Sequence, residues 1–210
     1  MKLNLVDVRA SDNKQLWVVG CSYAHGIGVD KSQRYGQLIS NALELPVSFL
    51  TQGGTSNDWA ADQILRSDIR PNDIVIWGLT GASRFVFLDQ QYQCHNVRLE
   101  NFDNVKDLSN FVNKKFLVSN HMIYNTIRSI EQVKNYLDKL SCTFVLAVLP
   151  TNIAEHDIQI LDYTSKLEDA IILFNPDNYQ FIDYGTDNSH PGPKQHVWYA
   201  EQILEHLGNI

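Results

Sequence analysis

Cysteine is scarce in this chain, and the three that it contains follow no metal-binding or cross-linking pattern. Cys21, Cys94 and Cys142 are odd in number and lack the paired spacing of a zinc site. Such a set argues against a disulfide framework and is typical of reduced thiols. We therefore expect a protein of the cytoplasm.

Long hydrophobic runs are also missing. The apolar residues at the start, 1–9, are interrupted by charges within a few positions, and no later run is long enough to cross a bilayer. The sequence therefore predicts neither a signal peptide nor a membrane span.

Positive charge is in the minority. The chain has 17 Lys and Arg against 24 Asp and Glu, a formal net charge of -7, which disfavours a nucleic-acid backbone as partner. The histidines show no metal-like clustering, and Gly26-Ile27-Gly28 is too short for a dinucleotide loop. We expect no nucleic-acid partner, no metal and no cofactor, and nothing in the sequence specifies an oligomeric state.

What the chain does have is an alternation of buried-strand and helix patterns. With 44% hydrophobic content, its 210 residues suit one domain, 1–210. Apolar, β-branched runs predict parallel strands, and 3.6-residue periodicity predicts helices between them. The predicted strands are 16–20, 47–50, 74–77, 143–149 and a shorter 180–183; the helices are 32–43, 57–65, 120–140 and 193–207. This order predicts a three-layer α/β/α sandwich with a parallel, flavodoxin-like sheet of about five strands.

Two stretches lack a clear periodicity. Residues 85–118 follow the third strand, and two interpretations are equally good: a lid or substrate-binding insertion, or an ordinary packed excursion. Residues 150–158 are a second irregular stretch, after the fourth strand.

Two short motifs suggest a catalytic triad. Ser22 follows the first strand in Gly20-Cys21-Ser22, and Asp187-Asn188-Ser189-His190-Pro191 precedes the last helix. A hydroxyl nucleophile needs a base, and the base needs a carboxylate, which Ser22, His190 and Asp187 would supply. The second motif could instead merely cap the helix. We favour the catalytic interpretation over capping because the loops after the strands of a doubly wound sheet meet at one edge, which would bring the two motifs together.

These motifs, with two others, resemble the four sequence blocks of the SGNH hydrolase superfamily, also called GDSL-like. In the first block, Cys21 replaces the family's Asp, while the last block matches well. The second block is the Gly53-Gly54 turn, with Gly54 the better counterpart of the family's oxyanion Gly and Gly53 the alternative. The third block departs from the family pattern. The family has Gly-x-Asn-Asp, whereas this chain reads Gly78-Leu79-Thr80-Gly81 and has no Asn there.

The resemblance implies a strand order of 2-1-3-4-5 and a serine esterase with an acyl-enzyme intermediate. Ser22 would be the nucleophile rather than the adjacent Cys21. The oxyanion hole would use the backbone N–H groups of Ser22 and Gly54. For the third donor the alternatives are the Thr80 hydroxyl, the Gly81 amide and the Asn57 side chain.

The substrate implied is a small-molecule or carbohydrate ester of an O-acetyl or other short acyl group. Asn57 and Arg84 are candidate substrate-binding residues, and Arg84 could hold a carboxylate or phosphate or form a structural ion pair. Two other functions stay open: an acyltransferase on the same triad, and a binding or assembly module that has lost catalysis, which the degenerate third block supports.

Overall fold

The structure is a computed structural model that describes residues 14–81, 84–88, 94–98, 120–149, 155–173 and 181–209. Strands and helices alternate along most of it. The strands are β1 (Leu16–Gly20), β2 (Val47–Thr51), β3 (Ile74–Leu79), β4 (Arg84–Leu88), β5 (Cys94–Arg98), β6 (Thr143–Val148) and β7 (Ala170–Ile172). The helices are α1 (Ser22–His25), α2 (Tyr35–Leu43), α3 (Asn57–Arg66), α4 (Asn120–Lys139), α5 (Glu155–Thr164) and α6 (Pro193–Leu207).

Five of the strands form one parallel sheet in the order β2-β1-β3-β6-β7. Counted along the sheet strands alone this is 2-1-3-4-5, the order that the family resemblance implied. β1 pairs with both β2 and β3, so Gly20 lies beside Thr51 on one side and Gly78 on the other. The ends of these three strands therefore meet at one edge of the sheet.

The sheet is covered on both faces because its strands carry apolar side chains in both directions. On one face Val19 and Trp77 pack against α3, α4 and α5. On the other, Val18 and Ile76 pack against α1, α2 and α6. These central positions have no exposed surface. Helices on both faces of a parallel sheet make the predicted three-layer sandwich.

The fifth strand was predicted at the wrong place. It is β7, which pairs with β6, whereas residues 181–183 form no strand. These residues have another role. The Asp183 carboxylate accepts hydrogen bonds from the backbone N–H groups of Lys194 and Gln195 at 3.0 and 2.9 Å. Residues 181–183 thus cap the first turn of α6 rather than extend the sheet.

The two stretches that looked irregular contain regular structure where they are described. β4 and β5 pair as an antiparallel ribbon within the predicted insertion, and the rest of 85–118 lies outside the described residues. Residues 155–158 belong to α5, so the prediction that 150–158 is irregular was wrong there, while 150–154 are not described.

Gly20 is required where β1 ends beside β3. Its φ is +147°, a value that side chains disfavour. A Cβ added there would lie 2.7 Å from the Gly78 carbonyl oxygen and 3.1 Å from the Ala24 side chain. Only a glycine lets β1 turn into α1 this close to β3.

Replacing Gly20 with alanine should therefore destabilise the protein. We expect Gly20→Ala to lower the free energy of unfolding by about 2 kcal/mol or more, because strain and a backbone clash combine. Gly208→Ala is the matched control, since its Cβ would meet no atom closer than 3.5 Å. Urea denaturation of both variants measures the difference, and equal stabilities would contradict the assignment.

Candidate active site

Ser22 stands directly after β1, as the first residue of α1. Its side chain is buried, with 3% exposed, and its hydroxyl contacts Cys21 Sγ at 3.9 Å. The short helix is held to the neighbouring strand because His25 Nδ1 lies 3.2 Å from the Thr51 carbonyl oxygen. The sheet and this contact therefore fix the turn that carries Ser22.

Asp187 and His190 form a close pair in the loop before α6. Asp187 Oδ2 lies 2.5 Å from His190 Nδ1. The other carboxylate oxygen accepts the backbone N–H groups of Ser189 and His190, each at 3.1 Å, and the Ser189 hydroxyl donates to Oδ2 at 3.0 Å. Because Nδ1 faces the carboxylate, Nε2 is the ring nitrogen left for another partner.

The hydrogen bonds around Asp187 change its acidity. Its limited desolvation acts to raise the pKa of the carboxyl group, but the bonds donated by His190 and Ser189 outweigh this and hold the pKa well below its usual range. Asp187 is therefore ionised at neutral pH and suited to orient the imidazole.

The two halves of the predicted triad approach each other through adjoining residues. The Tyr23 ring, next to Ser22, packs edge-on against the His190 ring with centroids 5.7 Å apart. The Gly28 carbonyl accepts the Thr186 N–H at 2.9 Å, which joins the loop after α1 to the Asp187 loop. Within the described part of the chain, Ser22 and His190 make no hydrogen bond with each other.

Gly54 occupies the loop between β2 and α3. Its φ is +82°, and no atom lies within 4 Å of the position that a Cβ would take. The loop is fixed at both ends, because the Gln52 N–H donates to the Gly20 carbonyl at 3.2 Å and the Thr55 hydroxyl to the Gln52 carbonyl at 3.0 Å. Gly54 thus faces open space next to the end of β1.

Thr80 and Asn57 are joined by two hydrogen bonds that could not be foreseen from the sequence. Asn57 Nδ2 donates to the Thr80 carbonyl at 2.8 Å, and the Thr80 N–H donates to Asn57 Oδ1 at 2.9 Å. Both residues are buried, and the Thr80 hydroxyl has no partner among the described residues. The amide of Asn57 therefore holds the backbone after β3 without engaging the buried Thr80 hydroxyl.

Arg84 begins β4, just beyond the Thr80 loop. Its Nη1 donates to the Thr55 carbonyl oxygen at 3.4 Å, so the guanidinium lies near the loop that carries Gly54. No ion pair to Arg84 occurs among the residues that the structure describes. The expected alternative of a structural ion pair is not seen there.

His196 lies on α6 and has no side-chain surface exposed. The Tyr35 N–H donates to its Nδ1 at 3.2 Å, and its ring stacks on the Tyr35 ring at a centroid distance of 5.9 Å. Burial lowers its pKa to about 4, so the ring is neutral at physiological pH. His196 joins α6 to α2 and is separate from the His190 loop.

The described ranges contain no group of three His, Cys, Asp or Glu side chains that could hold a metal ion. In the same ranges, every helix is too short or too polar to span a bilayer.

Comparison with known proteins gives a match in fold. No protein-family model and no curated protein matches the chain. Among solved structures, a carbohydrate esterase matches with a TM-score of 0.64 at 12% identity, over 96% of this chain and 70% of that one. A member of the lipolytic G-D-S-L family from Veillonella parvula matches with a TM-score of 0.54 at 13% identity, over 91% and 97%.

A third similar structure is the psychrotrophic esterase EstA from Pseudoalteromonas sp., with a TM-score of 0.52 and 8% identity over 94% of this chain and 98% of that one. At these identities the likeness is one of fold. The chain shares the α/β fold of these esterases, which is the fold that the resemblance of the four sequence blocks implied.

The low pKa of Asp187 predicts a specific effect of acid. The ionised carboxylate stabilises the folded state fully above about pH 5, and this contribution is lost as the pH falls below about 4, where the unfolded chain takes up the proton first. The stability advantage of the wild type over Asp187→Asn should therefore shrink between pH 6 and pH 3.

Urea denaturation across that pH range tests this expectation. Asp162→Asn is the matched control, since Asp162 makes an exposed pair with Lys166 at 2.7 Å and its carboxylate accepts no backbone N–H from the described residues. A stability difference for Asp187→Asn that stays constant with pH would contradict the role of these hydrogen bonds.

Proposed function

We propose that this protein is a serine esterase that hydrolyses carboxylic esters of short acyl groups, with Ser22, His190 and Asp187 as its triad. The single observation that supports it most is the Asp187–His190 pair, held by backbone bonds and packed against the residue next to Ser22. A carboxylate that fixes Nδ1 of an imidazole leaves Nε2 to act on a nucleophile. The shared fold with esterases agrees with this proposal.

The chemistry follows from these positions. Ser22 Oγ attacks the ester carbonyl carbon while His190 Nε2 takes its proton. When the tetrahedral intermediate collapses, the bond to the alcohol oxygen breaks and His190 returns the proton to that oxygen. Water then attacks the acyl-serine by the same route and releases the acid. A rotation of the Ser22 side chain away from Cys21 Sγ is required to begin this sequence.

The oxyanion would be held by three donors. Two are the backbone N–H groups of Ser22 and Gly54, and the open space at Gly54 permits close approach of a substrate. We assign the third to the Thr80 hydroxyl, because both backbone groups of Thr80 are already bonded to Asn57. Asn57 is then a positioning residue rather than a donor or a substrate ligand, and the Gly81 amide remains the alternative.

The substrate class is an ester of a small alcohol or a carbohydrate. One structural neighbour is a carbohydrate esterase whose active site displays divergent catalytic and non-catalytic binding functions. We propose that Arg84 contacts the bound substrate, since its guanidinium donates to the Thr55 carbonyl oxygen and so lies near the Gly54 loop.

A binding module without catalysis is the second candidate. It is favoured by one observation: the Ser22 hydroxyl is buried and points to a thiol rather than to His190. An acyltransferase would use the same triad, and product analysis with added acceptor alcohols distinguishes transfer from hydrolysis.

Labelling and turnover test the nucleophile directly. A fluorophosphonate should modify the wild type at Ser22, and Ser22→Ala should lose both the label and at least about 1000-fold of p-nitrophenyl acetate hydrolysis. Cys21→Ala is the matched control and should keep most of both. Labelling or activity that depends on Cys21 would make the protein a thiol enzyme, and absence of both would favour the binding module.

The third oxyanion donor is tested at Thr80. Thr80→Val removes the hydroxyl but keeps the shape and the backbone bonds to Asn57, so the rate of acylation should fall about 100-fold with little change in KM. Thr80→Ser restores a hydroxyl and should recover most of the rate. Steady-state kinetics measure the effect on catalysis, and thermal unfolding of the same variants checks that the fold is intact. An unchanged rate in Thr80→Val would show that the oxyanion hole consists of backbone amides without the Thr80 hydroxyl.

A further inference from the structure

A cavity of about 330 Å³ lies beside the loop that carries Asp187 and His190. It is bounded by the 28–33 segment on one side and by residues 184–186 on the other. Its size is at the lower end of small-molecule sites, roughly 300 to 1000 Å³, and fits one ring-sized unit of a larger ligand. The triad itself does not use this space.

The lining residues favour a neutral, hydroxylated ligand. Tyr184 lines the cavity, is 52% exposed and packs against the Phe181 ring, so it offers an accessible aromatic surface. Asp30, Gln33 and Thr186 supply polar groups. The lining is mixed, since Val29 and Pro193 are apolar, and its one charged side chain, Asp30, is acidic, which disfavours a carboxylate or phosphate.

Several of these polar groups retain hydrogen-bonding capacity. Gln33 Oε1 accepts the Asp30 N–H at 3.1 Å, which fixes the side chain and leaves the Nε2 amide to donate to a ligand. The Thr186 hydroxyl donates to the Gly28 carbonyl at 3.3 Å and keeps its lone pairs as acceptors. The Asp30 carboxylate is exposed and can accept from hydroxyl groups.

The cavity also shares its walls with the acid-base pair. A Cβ at Gly28 would lie 3.0 Å from Asp187 Oδ1, so the carboxylate lies directly behind this part of the wall. A series of edge-on aromatic contacts leads from Tyr184 through Phe181 and Tyr23 to His190, with centroid distances of 5.3, 5.8 and 5.7 Å. A ligand in the cavity would therefore lie next to the catalytic loop.

We propose that this cavity is a subsite for a neutral sugar unit of an O-acylated oligosaccharide, with Tyr184 under the ring and Gln33, Asp30 and Thr186 on its hydroxyl groups. The inference rests on the proposed esterase function and narrows its substrate to a carbohydrate chain. The sugar that occupies the subsite is distinct from the acyl group that Ser22 attacks.

Comparison of a large and a small substrate tests the subsite. We would measure kcat/KM for acetylated xylo-oligosaccharides and for p-nitrophenyl acetate, which is too small to fill both sites. In Tyr184→Ala the ratio of kcat/KM for the oligosaccharide to kcat/KM for p-nitrophenyl acetate should fall about tenfold. This is the effect expected for loss of one aromatic contact. Tyr124→Ala is the matched control, since Tyr124 is 62% exposed and lies on α4, and its ratio should not change.

Gln33→Glu gives a second variant in case Tyr184→Ala disturbs the fold. It keeps an oxygen for the Asp30 N–H but replaces the Nε2 donor with an acceptor, so the ratio should fall in the same direction. Equal losses on both substrates, or an unchanged ratio in both variants, would overturn the proposal.

Direct binding separates this inference from the esterase function. Calorimetric titration of the wild type with unacetylated xylohexaose and cellohexaose should show saturable binding to at least one, lost in Tyr184→Ala and kept in Tyr124→Ala. Binding without hydrolysis of any ester would refute the esterase function and keep the subsite. Hydrolysis without binding of either sugar, or binding that Tyr184→Ala does not weaken, would refute the subsite.

Discussion

The backbone contact between Gly28 and the Gly185–Thr186 turn is the constraint on which the candidate site depends. Gly28 and the Ser22 turn follow β1, whereas Asp187 and His190 lie more than 150 residues later, and this contact joins them. The approach is so close that a Cβ at Gly185 would lie 2.7 Å from the Gly28 carbonyl oxygen. Both the proposed triad and the proposed sugar subsite use the geometry that this contact sets.

Most of the sheet could be predicted because its central strands are buried on both faces. Each of β1, β3 and β6 is a short apolar run with turn residues at its ends, which is the pattern of a parallel strand buried on both faces. β7 was missed because it has three residues and lies at the edge of the sheet, partly exposed. Residues 181–183 show a similar pattern for another reason, since Phe181 packs on Tyr23 and Asp183 caps α6.

The positions of the candidate site residues were predictable to the extent that these residues stand at strand ends. Ser22, Gly54 and Thr80 follow three neighbouring strands of the sheet, so their shared edge follows from the strand order alone. The bonds between Asn57 and Thr80 were not predictable, because they join residues 23 apart whose amide and backbone groups have many possible partners. The direction of the Ser22 hydroxyl likewise depends on packing that no short motif encodes.

The pair of bonds from Asn57 has a consequence for how this loop can evolve. Asn57 recognises only the main-chain groups of residue 80, which every amino acid except proline carries in the same form. Because Thr80 is buried, its side chain can therefore be exchanged for another of similar size while the loop keeps its place. A scaffold that holds its backbone in this way separates the architecture of the candidate site from the identity of the side chain at position 80, so a change of that side chain need not move the loop.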